Sequence, residues 1–527
     1  SDLDGYVWLT KTTPGVPAAE ILAQIGDEVV AQMKFSTYMK WANNAFLYVR
    51  PIRWLVALLD DKVLDFSILD VQTDRITRGH RFLSDEQVTI PTAEDYVETL
   101  RAAHVLVDAD ERRATISQQL AAIAQENGWV LQLDADKSQD LLEEVNNIVE
   151  WPTAFAGSFD EKYLAVPDDV LMTSMREHQR FFYVTDQSGQ LLPHFLSVRN
   201  GNDEHLGNVI AGNEKVLVAR LEDAEFFYHE DQQKTIADYM AKVEKLVFHE
   251  KIGTVYEHMQ RVGLLAAELA DRLGFDDTKK ADLARAADIY KFDLMTGMVG
   301  EFDELQGIMG EHYAQLFGEN TAVATAVREH YMPTSAAGEV AQSDIGAVLA
   351  IADKLDTLVT FFAADLVPSG SNDPYGLRRA ATGIVRTLQA KQWRIALAPL
   401  LESFIAKTGE VSSHADTAAI RAFILDRVRK LALDAGTRQD LVAAGTANVM
   451  NLDVVYVAQR VQTLAQHADD ANFRDVIASL TRVSRLTVKY DTDATVDPAL
   501  FENEAEVALY AATQSLDLHT LVMAGSE

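Results

Sequence analysis

Cysteine is absent from the 527 residues of this sequence. A disulfide framework and a zinc site built on thiolates are therefore excluded, and so is catalysis by a thiol. A chain without cysteine suits the reducing cytosol, so we expect a cytoplasmic protein.

Long apolar runs are missing as well. No stretch approaches the roughly 18 to 20 uninterrupted apolar residues of a membrane-spanning helix, and residues 1–20 lack the basic start and apolar block of an export signal. We expect a soluble protein. The chain also starts without Met, within a strand-forming run, so we expect a fragment of a longer chain.

Positive charge is scarce: 47 basic residues stand against 80 acidic ones, which gives a formal net charge of -33. Such a charge repels a polyanion over most of the surface and argues against non-specific binding to nucleic acid. Any contact with RNA must therefore be local, through basic residues gathered into patches.

The length and the apolar pattern predict several domains. A chain of 527 residues exceeds the roughly 250 at which a single core stops growing, and 48% of it is apolar. Short β-branched and aromatic runs alternate with helical stretches up to about residue 235, and Asp186–Gly189 between two apolar runs predicts a hairpin turn. Beyond that point helical spacing dominates.

We therefore expect an α+β multidomain fold with three parts. Residues 1–235 form a mixed α/β N-terminal region, residues 236–397 a mainly helical domain, and residues 398–527 a second helical domain. The spacing of Val255, Met259, Val262, Ala266 and Leu269 predicts one buried helix face in the middle part.

The middle region carries the residue order of an HD domain. His249, the pair Phe292–Asp293 and Asp353 stand where HD phosphohydrolases place two His and two Asp ligands for a divalent metal. Phe292 occupies the place of the second His and has no lone pair to donate. We therefore expect a degenerate HD-like site with no metal and no catalytic residue. His330 is a weak substitute for the missing His.

A basic island follows in the same region. The segment from Pro374 to Leu401 contains no acidic residue. Its five basic residues, all candidates for tRNA contact, are Arg378, Arg379, Arg386, Lys391 and Arg394. Arg379 and Arg386 are seven residues apart and share one helix face, which can contact a phosphate backbone. Pairing of these residues with surrounding carboxylates is the alternative.

Several long motifs resemble one family. They include the run Asp293–Ala314 with its Glu-Leu-Gln-Gly-Ile-Met-Gly segment, Ile351–Leu358 and Pro368–Ala380. Shorter matches extend over nearly the whole chain, at 50–54, 78–82, 178–182 and 212–227. In these segments the sequence resembles the beta subunit family of the bacterial heterotetrameric glycyl-tRNA synthetases.

The resemblance implies a function that no single motif shows. In this family two alpha and two beta subunits assemble; alpha makes glycyl-adenylate from glycine and ATP and transfers the glycine, while beta binds tRNA(Gly). It implies a commonly degenerate HD-like domain and an anticodon-binding type of helical domain, incomplete here, with Arg482 and Arg485 as further tRNA-binding candidates.

We therefore expect a ligase subunit that presents tRNA(Gly) to a separate alpha subunit. It would bind no cofactor itself, while the holoenzyme binds and uses ATP; a Walker-type phosphate loop and a Gly-x-Gly-x-x-Gly fingerprint are both missing. Two alternatives are a metal-dependent HD phosphohydrolase and a purely architectural subunit.

Overall fold

The computed structural model describes residues 2–3, 6–7, 11, 14–41, 45–84, 87–133, 135–370, 372–487 and 496–515. The chain divides into two compact units, residues 1–226 and 227–527, each with its own internal packing. Both strands and helices are present, as an α+β protein requires.

The first unit combines short strands with helices. Its strands are β1 (Asp2–Leu3), β2 (Tyr6–Val7), β3 (Leu55–Val56), β4 (Leu58–Leu59), β5 (Lys62–Val63), β6 (Ser67–Ile68), β7 (Val71–Asp74), β8 (Ile76–Thr77), β9 (Val88–Thr89), β10 (Pro152–Ser158), β11 (Phe182–Thr185) and β12 (Leu191–Asn200). Its helices are α1 (Ala18–Gln32), α2 (Tyr96–Ala102), α3 (Ala109–Asn127), α4 (Asp136–Ile148), α5 (Asp168–Thr173) and α6 (Leu206–Asp231), whose last turn belongs to the second unit.

The longest strands of this unit form an antiparallel sheet in the order β10-β12-β11. The hairpin predicted at Asp186–Gly189 joins β11 to β12: the Asp186 carboxylate accepts the amides of Ser188 and Gln190, and Gly189 takes a φ of 87°. Apolar side chains of α3, α4 and this sheet share one core, including Leu120, Leu142 and Leu196.

A second group of strands lies earlier in the same unit. Strand β3 pairs parallel with β7, which pairs antiparallel with β6, while β4 pairs with β5 and β8 with β9. Strand β3 also packs against β8.

The second unit is mainly helical. Within its described residues, the strands β13 (Val247–His249) and β14 (Gly253–Thr254) form an antiparallel pair. Its helices are α7 (Ile236–Val243), α8 (Val255–Arg272), α9 (Asp277–Ile289), α10 (Gly297–Glu301), α11 (Ile308–Leu316), α12 (Thr321–Glu329), α13 (Asp344–Ala363), α14 (Leu377–Lys391), α15 (Leu397–Thr408), α16 (Thr417–Asp434), α17 (Gln439–Gly445), α18 (Val454–His467), α19 (Ala471–Thr487) and α20 (Glu504–Ser515).

Helix α13 is the centre of the second unit. It is buried along most of its length and packs against α8, α12 and α14. Helix α8 starts at a capping box, in which the Thr254 hydroxyl accepts the amide of Glu257 and the Glu257 carboxylate accepts the amide of Thr254. The predicted buried face of α8 is confirmed, since all five of its apolar residues are buried.

The first predicted domain limit, at 235/236, lies between α6 and α7, whereas the second, at 397/398, falls after the first residue of α15. In the part of the chain that the structure describes, no helix combines the length and apolarity that crossing a membrane requires.

Candidate functional site

A buried group of charged side chains in the second unit lies between α8 and α13. Asp353 on α13 accepts hydrogen bonds from His258 Nε2 at 2.9 Å and from the Tyr290 hydroxyl at 3.1 Å, and Lys291 Nζ lies 3.5 Å away. Burial by itself would raise the pKa of Asp353, but Lys291 and His258 outweigh it and hold that pKa well below its ordinary value. Asp353 is therefore a carboxylate with its partners already in place.

Asp356 completes this group one turn further along α13. Its carboxylate accepts His258 Nδ1 at 2.5 Å, and Arg261 binds both of its oxygens, at 2.7 and 3.0 Å. His258 thus donates from both ring nitrogens. Burial would lower the pKa of His258, but the hydrogen bonds to Asp353 and Asp356 raise it, so the ring is held as an imidazolium.

The structure does not bring His249 into this group. His249 lies on β13, where its Nδ1 accepts the Lys251 amide at 3.2 Å and its ring contacts those of Phe361 and Tyr375 at 5.5 Å each. The histidine beside Asp353 is His258, which the sequence analysis did not single out. The available signal was its place on the buried face of α8, next to Met259.

Phe292 has a packing role. It is fully buried in a 3-10 turn, Phe292–Met295, and its ring lies 6.2 Å from that of Tyr239 and 6.5 Å from that of Phe317. An apolar ring in these surroundings contributes buried surface and no lone pair.

Asp293 explains the glycines of the Glu-Leu-Gln-Gly-Ile-Met-Gly segment. Its Oδ2 accepts the amide of Gly307 at 2.5 Å, at the start of α11, and burial raises its pKa to about 6. Gly307 has a φ of 81°, and a Cβ there would lie 2.6 Å from the Tyr331 ring. A Cβ at Gly310 would lie 2.8 Å from Asp293 Oδ2. Gly307 is therefore required by its backbone conformation and by close packing, and Gly310 by close packing alone.

His330 lies in the same core in its neutral form. Burial lowers its pKa well below the ordinary value, and its Nδ1 is 2.5 Å from the carbonyl oxygen of Val327. Among the described residues its Nε2 and the Oδ1 of Asp293 have no hydrogen-bond partner. Neither atom makes a hydrogen bond to Asp353 or to its partners within the described chain.

These residues do not form a ligand set for the divalent metal of an HD hydrolase. His258 binds the carboxylates of both Asp353 and Asp356, and Arg261 binds Asp356 as well. The ammonium group of Lys291 lies 3.5 Å from Asp353. Within the described ranges no group of three or more His, Cys, Asp or Glu side chains is arranged to hold a metal ion. The arrangement is an ion-pair network that ties α8 to α13.

Four members of the basic island are bound to the protein itself. Arg386 donates to the carbonyl oxygens of Ala336 and Gly338, at 2.9 and 2.6 Å. Arg378 donates to the Gly370 carbonyl at 2.6 Å. The remaining two pairs are Lys391 with Asp344 at 3.1 Å and Arg394 with Asp453 at 2.9 Å.

Arg379 differs from the other four. It is exposed on α14 and has no hydrogen bond or ion pair to any described residue. The predicted face shared by Arg379 and Arg386 is therefore not a free pair of cations, because loop carbonyls hold Arg386. For most of the island the structure supports the alternative of pairing within the protein.

Arg482 and Arg485 lie on α19. Both are exposed and have no ion pair within the described part of the chain, and their spacing of three places them on the same side of the helix. Exposed apolar residues accompany them on α19, namely Val476, Ile477, Leu480 and Val483.

Comparison with known proteins shows the family. A family model described as glycyl-tRNA synthetase beta subunit matches residues 1–447. The glycine–tRNA ligase beta subunit of Leuconostoc citreum is 71% identical over 524 residues, which cover 99% of this chain and 76% of that relative. The corresponding subunits of Leuconostoc mesenteroides and Oenococcus oeni are 70% and 54% identical over 99% of this chain and 76% of each relative. The chain thus belongs to the glycyl-tRNA synthetase beta subunit family.

Proposed function

We propose that this chain binds tRNA(Gly) and presents it to a separate alpha subunit, which performs the ATP-dependent attachment of glycine. The observation that carries the proposal is the family match over residues 1–447, with 71% identity to a glycine–tRNA ligase beta subunit. In this assignment the chain is a subunit of a ligase, and ATP binds to the holoenzyme through alpha.

The geometry around Asp353 supports a structural role for this site and not a catalytic one. A phosphohydrolase needs open carboxylate and imidazole ligands that hold a metal and activate a water molecule. Here the carboxylate of Asp353 already binds His258, and that of Asp356 already binds Arg261. We therefore assign a structural role, and no part in hydrolysis, to the residues of the predicted degenerate HD-like site. These are His249, Phe292, Asp293 and Asp353.

We assign tRNA contacts in the second unit to Arg379, Arg482 and Arg485. Each is exposed and has no carboxylate partner among the described residues, so it keeps its charge available for a phosphate. Arg378, Arg386, Lys391 and Arg394 hold the protein together instead, through carbonyl oxygens and carboxylates. The anticodon-binding type of the C-terminal helices is part of the same proposal.

A salt titration tests these contacts. Binding of tRNA(Gly) to the chain with alpha would be measured at several salt concentrations, for the wild type and for Arg482→Ala/Arg485→Ala. Two lost phosphate contacts should reduce the slope of log affinity against log salt by about 1 to 2. The control is Arg438→Ala, because Arg438 is exposed but paired with Asp440.

The outcomes separate the assignments. An unchanged slope in a folded double variant would reject Arg482 and Arg485 as phosphate contacts. Failure of the wild type to bind tRNA(Gly) with alpha present would reject the proposed function itself. Glycine-dependent pyrophosphate exchange by this chain alone, free of alpha, would contradict the assignment of catalysis to alpha.

A further inference from the structure

The first unit contains a second basic segment, which is rich in aromatic residues. From Val29 to Leu59 the chain has no Asp or Glu, although acidic residues outnumber basic ones in the whole sequence. Its basic residues are Lys34, Lys40, Arg50 and Arg53, and its aromatic residues are Phe35, Tyr38, Trp41, Phe46, Tyr48 and Trp54. The fold places Trp54, near the end of this segment, beside Arg78.

Two exposed rings in this place each lie beside a guanidinium group. Arg78 lies 5.0 Å from the centre of the Trp54 ring, and Arg81 lies 5.6 Å from the centre of the Phe82 ring. Trp54 is 46% exposed and Phe82 is 81% exposed. Large apolar rings are normally buried, so two such rings next to exposed arginines indicate a binding surface.

The turn that presents Phe82 is built into the fold. His80 is buried, and its amide donates to the Ala103 carbonyl at 2.9 Å. The carbonyl oxygen of His80 accepts hydrogen bonds from the amides of Leu83 and Ser84. The Nδ1 atom of the His80 ring accepts one from the amide of Phe82 at 3.3 Å. The backbone that carries the exposed Phe82 ring is therefore anchored to the fold.

The arginines of this surface are available for a ligand. Arg50, Arg53, Arg78 and Arg81 are exposed and have no ion pair with any residue that the structure describes. Asp85 and Glu86, which follow in sequence, lie outside the described residues. Arg75 nearby is different, because it donates to the carbonyl oxygens of Pro91 and Asp61.

We propose that Arg53, Trp54, Arg78, Arg81 and Phe82 form a surface that binds unpaired nucleotides of tRNA. Bases that are free of a duplex would stack on the two rings, while the guanidinium groups would contact the phosphates between them. Paired nucleotides bury their faces in the helix, so the surface selects single-stranded RNA. This inference rests on the proposed function, since it supplies that function with a second contact in the first unit.

The charge of the surface favours RNA over a protein partner. Aromatic rings and arginines occur at protein interfaces too, but here four exposed guanidinium groups have no ion pair among the described residues although the chain has a net charge of -33. A protein pocket that takes the Phe82 side chain would also accept Leu, whereas stacking of a base requires a planar ring. Phe82→Leu therefore distinguishes an RNA partner from a protein partner.

The test compares Phe82→Leu, Phe82→Tyr and Ile148→Ala, a control at another exposed apolar residue of the first unit. Each variant, assembled with alpha, would be titrated with labelled tRNA(Gly), with tRNA(Gly) lacking its unpaired 3′ nucleotides, and with an isolated anticodon stem-loop. We expect Phe82→Leu to weaken binding about 5- to 100-fold, and Phe82→Tyr and Ile148→Ala to leave it unchanged. The truncated tRNA and the stem-loop identify which unpaired segment is bound. Phe82→Leu should no longer weaken the binding of an RNA that lacks that segment.

A second variant tests the phosphate contacts. Arg78→Ala/Arg81→Ala should reduce the salt slope by about 1.4, the value for two contacts to a single strand. Melting temperatures equal to that of the wild type establish that both variants are folded. If the wild type binds tRNA and Phe82→Leu and the arginine variant bind it equally well, this surface is rejected while the proposed function stands. Loss of assembly with alpha, at unchanged tRNA affinity of the assembled complex, would overturn the inference and assign the surface to protein.

Discussion

Replacement of Asp231 by Asn should loosen the start of α10. Asp231 is 1% exposed at the end of α6, and its carboxylate accepts four hydrogen bonds within the second unit. The amides of Gly297 and Met298 donate to it at 2.7 and 2.9 Å, and the hydroxyls of Tyr239 and Tyr313 at 3.0 Å each. The carboxylate therefore caps α10 and joins it to α7 and α11.

The magnitude follows from the four donors. Asn at position 231 keeps one acceptor oxygen for two of them and directs an NH2 group at the other two. The loss of two charge-assisted hydrogen bonds costs about 3–6 kcal/mol. The lower desolvation cost of a neutral amide offsets about 1–2 kcal/mol, so the net destabilisation is about 2–4 kcal/mol.

Hydrogen–deuterium exchange at the α10 amides measures this cost directly. If these amides exchange through local opening, Asp231→Asn should reduce the protection of Gly297 and Met298 about 30- to 1,000-fold, at tenfold for each 1.4 kcal/mol. Glu230→Gln is the matched control, because Glu230 is the preceding, exposed residue of the same helix. Tyr313→Phe removes one donor and should cost less, about 1–2 kcal/mol.

A double variant tests the mechanism further. Asp231→Asn and Tyr313→Phe act on the same hydrogen bond, so their combined effect should be smaller than the sum of the two. Unchanged protection at Gly297 and Met298 in a folded Asp231→Asn protein would refute the view that this carboxylate holds α10.

Three further predictions follow from the same unit. The pKa of Asp293 is raised to about 6, so its contribution to stability is present below about pH 4 and is lost as the pH rises through 6. Urea unfolding at pH 4 and pH 7 should show a difference between wild type and Asp293→Asn that changes by about 2 kcal/mol. Gly307→Ala adds a clash with Tyr331 to an unfavourable φ, whereas Gly274→Ala has a similar φ in open space, so Gly307→Ala should be less stable by about 1–3 kcal/mol in the same assay. Arg386→Ala should lower stability by about 2–4 kcal/mol and accelerate exchange at residues 336–338, with an unchanged salt slope for tRNA; a stable variant with a flatter slope would instead make Arg386 a phosphate contact.

The sequence by itself determined the local features and the family. The absence of cysteine excluded thiol chemistry, and the spacing of Val255, Met259 and Val262 identified a helix face that is buried in α8. The turn at Asp186–Gly189 was predictable because its polar residues make bonds within five positions of one another. The long motif at 293–314 indicated the family that the comparisons show.

Only the tertiary structure decided which distant residues meet. The order of His and Asp residues selected His249, yet His258 contacts Asp353 across 95 positions of sequence. The absence of acids near Arg386 suggested a free cation, yet carbonyl oxygens 48 and 50 positions away hold it. Periodicity encodes which face of a helix is buried, because that depends on neighbours three and four residues apart. The partner on another helix depends on how the helices pack against each other, and that geometry is set by the whole core.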